Sequence, residues 1–382
     1  MPLLKEVPAA LAAAGNQVHV VQLFPAEASF AVQGVTYHFV RPMILERGWA
    51  QAASWVKGRA WTRHVPAAGA IRKVLGLQPD VVHFHRLTLG TTLFLLQLLR
   101  GNDGPAIVGQ YHGDRLTNGW LAGKFQQAGL RQMQKALFSR LDEAEPFLRE
   151  GLLRRDQILE VCKRSTKLTM KSRPAARRIT GMVGSPIFLW YGGLEPDRDP
   201  MTAVLGFQML LSSWPKAQLY IHYDEDRLLP QLRAYVVADP DLSPHVHFRQ
   251  MMPGQPTESI FNSADFLLQT DRLDRNGHAM LEAMACGVIP VVSDLPLFRR
   301  LVDNGRCGFL FPQGDAAEMS KLLLSFSQAK IAGRAALVHD WFEAAYSYEA
   351  MAGLLLDIYA EAIGERQAQL EQLREPLAEA GG

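Results

Sequence analysis

Apolar and polar positions along the chain fall into two alternating rhythms. Short apolar, β-branched runs at Val18–Leu23, Val35–Val40, Val81–His85 and residues 105–110 predict strands. Between them, helical spacing is predicted over 1–14, 49–76 and 88–99, the first closed by Gly15-Asn16 and the second by Gly76. The rhythm resumes after residue 185. Strands are predicted over 186–190, 217–221, 245–248, 265–269, 288–293 and Phe309–Phe311, and helices over 200–213, 228–237, 257–264, 278–286 and 316–327. Asp199-Pro200 reads as an N-cap followed by a first-turn proline, and Asp315 with Glu318 as a capping box. Strand and helix in alternation predict an α/β protein with parallel sheets. From Ser347 onward, Leu354, Leu355, Ile358, Tyr359 and Ile363 share one helix face, and the Glu/Gln/Arg-rich chain beyond Gly364 is expected to fray.

A length of 382 residues predicts two domains. The apolar rhythm weakens between them, where residues 149–178 hold ten basic and three acidic side chains. This stretch reads as a linker or domain edge whose charges form a solvated face, with contact to anionic lipid headgroups as the alternative. The expected division is 1–180, 181–345 and a C-terminal helix and tail over 346–382. The whole chain carries 40 Lys and Arg against 38 Asp and Glu, a balance that gives no argument for nucleic acid as a partner. Cys162, Cys286 and Cys307 form neither a C-x-x-C pair nor a zinc spacing, which fits a reducing cytoplasm. Residues 1–14 contain Lys5 and Glu6 and do not resemble a secretory signal. The apolar stretch 87–99 is too short to cross a bilayer and reads as a buried helix. His83 and His85 share a strand face, but a metal site needs a third ligand that the sequence does not supply, so no metal is expected.

The richest chemistry lies between Asp274 and Gly287. An acid-bearing loop reaches Gly277 and opens directly into a helix beginning at His278. Glycine allows a ligand to approach the backbone closely, and the free N–H groups of a first helical turn favour a diphosphate. Glu282, one turn inside, can accept hydrogen bonds from a pair of ribose hydroxyls. An ordinary capped core helix behind a surface loop accounts for the same residues equally well.

Asp274 and Glu282, with seven residues between them, together with Leu281–Gly287 and Pro290-Val291-Val292, resemble the E-x7-E motif of the retaining family-four glycosyltransferases. The resemblance extends through Pro79–His85, the Tyr111-His112-Gly113 turn, the loop 189–198, Ser293-Asp294, Pro296–Arg299 and Gly308–Leu310, in family order. It implies a GT-B fold: two Rossmann-like domains with parallel sheets facing across a cleft, and a C-terminal helix returning to the N-terminal domain. It implies transfer of a sugar from a nucleotide-diphosphate sugar, with retention, to a glycan, lipid-linked or small-molecule acceptor. No cofactor and no metal are implied.

Carried over residue by residue, Glu282 holds the donor ribose, Asp274 the transferred sugar and Arg198 the diphosphate. His112 lies near the reaction centre. Gly192, Gly193, Asn276, Gly277 and His278 line the donor site, and Met251 lies where the nucleobase packs. Some positions depart from the pattern. The arginine usual in the glycine loop is Gly193, and the usual lysine is Arg198. Asp274 is one methylene shorter than glutamate, which moves its carboxylate by about 1.5 Å. Leu295-Pro296 and Arg300 stand where many members carry a Gly-Gly turn and a glutamate. The family also opens with a strand and a Gly-rich turn, whereas Met1 here already sits in the first helix. These departures support an alternative expectation, a catalytically degenerate nucleotide-sugar-binding or scaffold protein of the same fold.

Overall fold

The computed structural model describes residues 3–41, 67–87, 96, 97, 99–101, 104–113 and 120–379. Most of the helices predicted over 49–76 and 88–99 therefore lie outside the described residues. The chain forms two compact units, Met1–Lys163 with Met351–Gly382, and Arg164–Ala350.

The first unit carries two sheets. Strands β1 (Val18–Leu23) and β3 (Val35–Val40) run parallel, and β2 (Ala28–Val32) pairs antiparallel to β3. The β2–β3 hairpin turns at Gln33-Gly34, both with positive φ, as a two-residue hairpin loop requires. Strands β4 (Val81–His85), β5 (Ala106–Gln110), β6 (Lys135–Phe138) and β7 (Ile158–Glu160) form an all-parallel sheet in that order. Its core gathers Leu87, Ile107, Leu130, Phe138 and Phe147. Sequence patterning missed β2, β6 and β7. Every β2 residue is exposed, so no alternation marks it. The other two are short, and β6 opens on a charge.

That charge is Lys135, which is 3% exposed. Its Nζ lies 2.6 Å from Glu361 and 2.8 Å from Glu365 on the helix Tyr348–Glu379. Arg366 donates to the Gly101 carbonyl at 3.2 Å, and Gln134 meets Gln369 at 3.1 Å. These ties correct the expectation of fraying beyond Gly364, because the helix continues to Glu379.

The second unit is built on one six-stranded parallel sheet. Its strands are β8 (Ile187–Tyr191), β9 (Gln218–Tyr223), β10 (Val246–Gln250), β11 (Phe266–Gln269), β12 (Ile289–Ser293) and β13 (Phe309–Phe311), in the order β10-β9-β8-β11-β12-β13. Each of these strands was predicted within a few residues. Asp315 accepts from the Glu318 amide at 2.9 Å, as the capping box requires. The units divide at 163/164 and 350/351, not at the expected 180/181 and 345/346.

The reason is electrostatic. Arg173 and Arg177, on the helix Arg173–Thr180, reach into the second unit. Arg177 Nη2 lies 2.8 Å from Asp265 Oδ2, Arg173 Nε lies 3.4 Å from Oδ1, and both donate to backbone carbonyls of Ser263, Ala264 or Gly287. Asp265 also accepts from the Ile187 amide at 2.8 Å. Lys171 pairs with Glu258, Arg154 with Asp156, and Lys163 donates to the Tyr111 carbonyl. Of the ten basic residues in this run, Lys163, Arg173 and Arg177 are drawn in by such contacts, while the other seven are exposed, as a solvated face requires. Among the described residues, no helix is long and apolar enough to cross a membrane.

Removing the shared carboxylate would leave two partly buried guanidinium groups without their counter-charge. Asp265→Ala is expected to lower the stability of the chain by about 3 kcal/mol in urea unfolding; a loss below about 1 kcal/mol would show the cluster to be solvated.

Candidate active site

In the second unit the sheet order reverses at β8. From β8 the chain goes outward to β9 and β10, then returns to β11 on the other side. In open parallel sheets, ligands bind beyond the carboxyl ends of the strands at such a reversal. Gly192, Gly193, Arg198, Gly277, His278 and Glu282 lie around that point, whereas Met251 and His112 do not. Tyr191-Gly192-Gly193 leave the end of β8, Thr270 and Asp271 leave β11, and the helix His278–Ala285 follows the loop after β11.

The backbone of Arg198 is fixed from below. The Thr270 hydroxyl lies 2.9 Å from the Arg198 carbonyl and 2.8 Å from that of Asp199. Asp199 has φ 47°, caps the helix Pro200–Leu210, and is held by Arg272 at 2.8 Å. From this anchor the Arg198 side chain runs back over Gly192. A Cβ at position 192 would stand 3.0 Å from Arg198 Cζ, and its φ of 145° disfavours any side chain. The guanidinium therefore occupies space that only glycine leaves open. Among the described residues it makes no ion pair, and its Nε is buried without a partner. Gly193 is buried against Asp224 and Glu225, a Cβ there meeting Glu225 Cβ at 2.9 Å, so the loop presents no second cation.

On the other side of β8, Gly277 (φ 52°) serves as N-cap of the helix His278–Ala285. A Cβ there would come within 2.8 Å of Leu301 Cδ1. The amides of the first turn are left without intrahelical acceptors at the sheet edge. Glu282 is mostly buried, with His278 Nε2 3.4 Å from its Oε1. Burial pushes the Glu282 carboxyl up to about 7. The His278 imidazole is held below its usual value by burial and then by Arg164. Burial also raises the Tyr191 phenol, with the charges of Glu282 and Asp224 adding to it, which places Tyr191 in the same field.

Sequence reasoning missed two groups. Asp271 is 2% exposed, its Oδ1 has no hydrogen-bond partner among the described residues, and burial pushes it up to about 6 against the pull of Arg198. His222, at the end of β9, is buried with both ring nitrogens unpartnered among the described residues, and burial lowers it to about 4. Its only sequence signal is its place at the carboxyl end of a strand.

Met251 lies past β10, its amide bonded to the Tyr223 carbonyl at 2.7 Å. With β9 in between, it stands about 10 Å from the β8 exit. His112 belongs to the first unit, just after β5, with its Nε2 3.0 Å from His85 Nδ1. Asp274 and Asn276 lie outside the described residues. No three His, Cys, Asp or Glu converge on a metal position among the described residues. Cys286 is buried, and burial pushes its thiol up to about 12.

A cation unpaired among the described residues over a glycine loop, with an open helix N-terminus and a carboxylate one turn in across the sheet reversal, suits a ligand carrying a diphosphate and a vicinal diol. Residues 184–347 match the family model "Glycosyl transferases group 1". The chain is 30% identical over 140 residues to a phosphatidyl-myo-inositol mannosyltransferase of Mycolicibacterium smegmatis, covering 36% of this chain and 34% of that protein. It is 25% identical over 253 residues to the protein of the same name from Mycobacterium leprae, covering 64% and 63%. It thus spans between a third and just under two thirds of the curated relatives it matches. Among solved structures it resembles Anabaena HepE in complex with UDP-glucose, with a TM-score of 0.56 at 14% identity over 93% of this chain and 95% of that one. The fold is GT-B.

The buried carboxyl has a consequence for stability. Folded Glu282 keeps its proton up to about pH 7, whereas the unfolded chain releases it near 4.5. The folded form binds more protons between those values, so its contribution is fully present below the lower value and is lost as pH rises through the upper one. Glu282→Gln cannot ionise and escapes that loss. It is expected to unfold at a higher temperature than the wild type at pH 8 and at nearly the same temperature at pH 4.5, as read by calorimetry.

Proposed function

We propose that the protein is a glycosyltransferase that moves a sugar from a nucleoside-diphosphate sugar to an acceptor hydroxyl with retention of configuration. The observation that carries this reading is the Arg198 guanidinium, unpaired among the described residues and lying against Gly192 at the sheet reversal. In the transfer, the bond from the anomeric carbon to the diphosphate oxygen breaks. The acceptor oxygen bonds to that carbon on the same face, and its proton passes to the departing diphosphate. Negative charge builds on the leaving group, and Arg198 with the first-turn amides of His278–Ala285 would meet it without reorganising. This requires no metal.

Glu282 would hold the ribose, Asp274 the transferred sugar, and His112 the reaction centre, with Asn276, Gly277 and His278 along the donor. The two relatives named for phosphatidyl-myo-inositol mannosyl transfer support a mannosyl donor and a lipid-linked acceptor, which would bring the protein to a membrane surface.

The test is thermal unfolding against UDP, GDP, ADP, dTDP and their sugars. A ligand at a hundred times its dissociation constant adds about 2.7 kcal/mol, a rise of roughly 5–10 °C at this size. One nucleotide is expected to give that shift, and Gly192→Ala to abolish it by displacing Arg198. Arg198→Ala is expected to slow nucleotide release from the matching sugar by about a hundredfold, more than it weakens binding, and EDTA to leave the rate unchanged. A second reading is favoured by Gly193, where Asp224 and Glu225 fill the space a second cation would need. A nucleotide-sugar-binding protein without turnover would give the thermal shift and no nucleotide release.

A further inference from the structure

The first unit contains a line of three histidines and a tyrosine, of which only His112 has a part in the proposed transfer. His83 and His85 project from the same face of β4. Their rings stack with centroids 4.6 Å apart and planes 11° apart. His85 Nδ1 lies 3.0 Å from His112 Nε2. At the other end, His83 Nδ1 lies 2.6 Å from the hydroxyl of Tyr359 on the C-terminal helix, which meets the ring edge-on. Lys163 donates to the carbonyl of Tyr111, the residue before His112, and so fixes the backbone beneath it.

Charge on this line is disfavoured. His83 is held well below its usual value by burial and then by His85 and His112. Burial, then His112 and Lys163, lower His85 to about 4. Lys163 is itself lowered by burial, with Glu143 opposing. Tyr359 is raised by burial alone and stays a neutral phenol. When both rings are neutral, two imidazoles that share one hydrogen bond divide the roles, one ring donating and the other accepting. Whichever donates, the position of the proton on His85 dictates the position of the proton on His112. Stacking on His83 keeps His85 from turning its ring over and breaking that link.

We infer that His85 is a positioning residue for His112: it fixes the tautomer and ring plane of His112, and the His83–Tyr359 pair braces it from the C-terminal helix. The inference rests on the reading above, in which His112 serves the transfer.

The test uses the full chain labelled with 15N-histidine, with the His112 ring assigned by its loss in His112→Asn. In the wild type the two His112 ring nitrogens are expected at the separate shifts of a single tautomer. In His85→Phe they are expected to move toward an averaged value. Nucleotide release from the UDP-, GDP-, ADP- or dTDP-sugar that gives the thermal shift is expected to fall about tenfold in kcat, the equivalent of one neutral hydrogen bond, with the donor KM unchanged. His85→Asn places an amide where Nδ1 stood and should restore the rate to within about twofold of wild type. His85→Gln reaches instead to the Nε2 position and should not, and it carries the test if His85→Phe fails to fold. Unchanged His112 shifts in both variants overturn the inference. So does equal activity of the Asn and Gln variants, or averaged shifts with an unchanged rate. If the wild type binds no nucleotide sugar, the transferase reading fails, and the nitrogen shifts alone decide whether His85 sets the His112 ring.

Discussion

Ile187–Trp190 are buried on both faces of β8, and this strand is hydrogen-bonded to β9 on one side and to β11 on the other. Both pairings are parallel, so each strand-to-strand connection must cross the sheet and return to the same starting edge. All the carboxyl ends therefore open on one edge, and at β8 two connections leave in opposite directions. The space between them is where a ligand can enter. The Gly192 loop on one side and the helix cap at Gly277 on the other need only glycine to make it accessible. Asp265 holds the amino end of the same strand through the Ile187 amide and, through Arg173 and Arg177, fastens the entering chain to it.

Charges at this edge are poorly matched to one another within the protein. Arg198 has no ion-pair partner among the described residues, Asp271 is buried with one oxygen unpartnered among them, and burial raises both Glu282 and Asp271. Elsewhere in the same unit, buried charge is closely matched, as Asp199 with Arg272 and Asp265 with its two arginines show. The contrast separates groups that hold the fold from groups kept ready for a partner of opposite charge and rich hydrogen-bonding capacity.

Much of this was legible in the sequence where apolar runs were long enough to fill a strand buried on both faces. β8, β9, β11 and β12 have such runs; Gly277, His278 and Glu282 were placed by the loop that opens into a helix, and Gly192, Gly193 and Arg198 by the family resemblance. The rest was hidden for identifiable reasons. β2 is exposed along its whole length and carries no apolar rhythm, although Gln33-Gly34 marks its turn. β6 opens on Lys135, whose burial depends on carboxylates far along the chain. Arg173 and Arg177 read as surface charge because Asp265 is distant in sequence. Asp271 and His222 sit at strand ends, where neither periodicity nor spacing distinguishes a buried polar group from an exposed one.

The Lys135 contact also sets an order of events. Glu361 lies 226 residues downstream of Lys135, and at ordinary elongation speeds roughly 10–45 s separate their appearance on the ribosome. Until then, β6 offers a buried ammonium with no counter-charge, and the first unit lacks the helix that supplies it. The second unit is complete before that helix has been made. Although it comes later in the chain, it can reach its native state on the nascent polypeptide first, and the amino-terminal unit must wait for the helix Tyr348–Glu379 to be made.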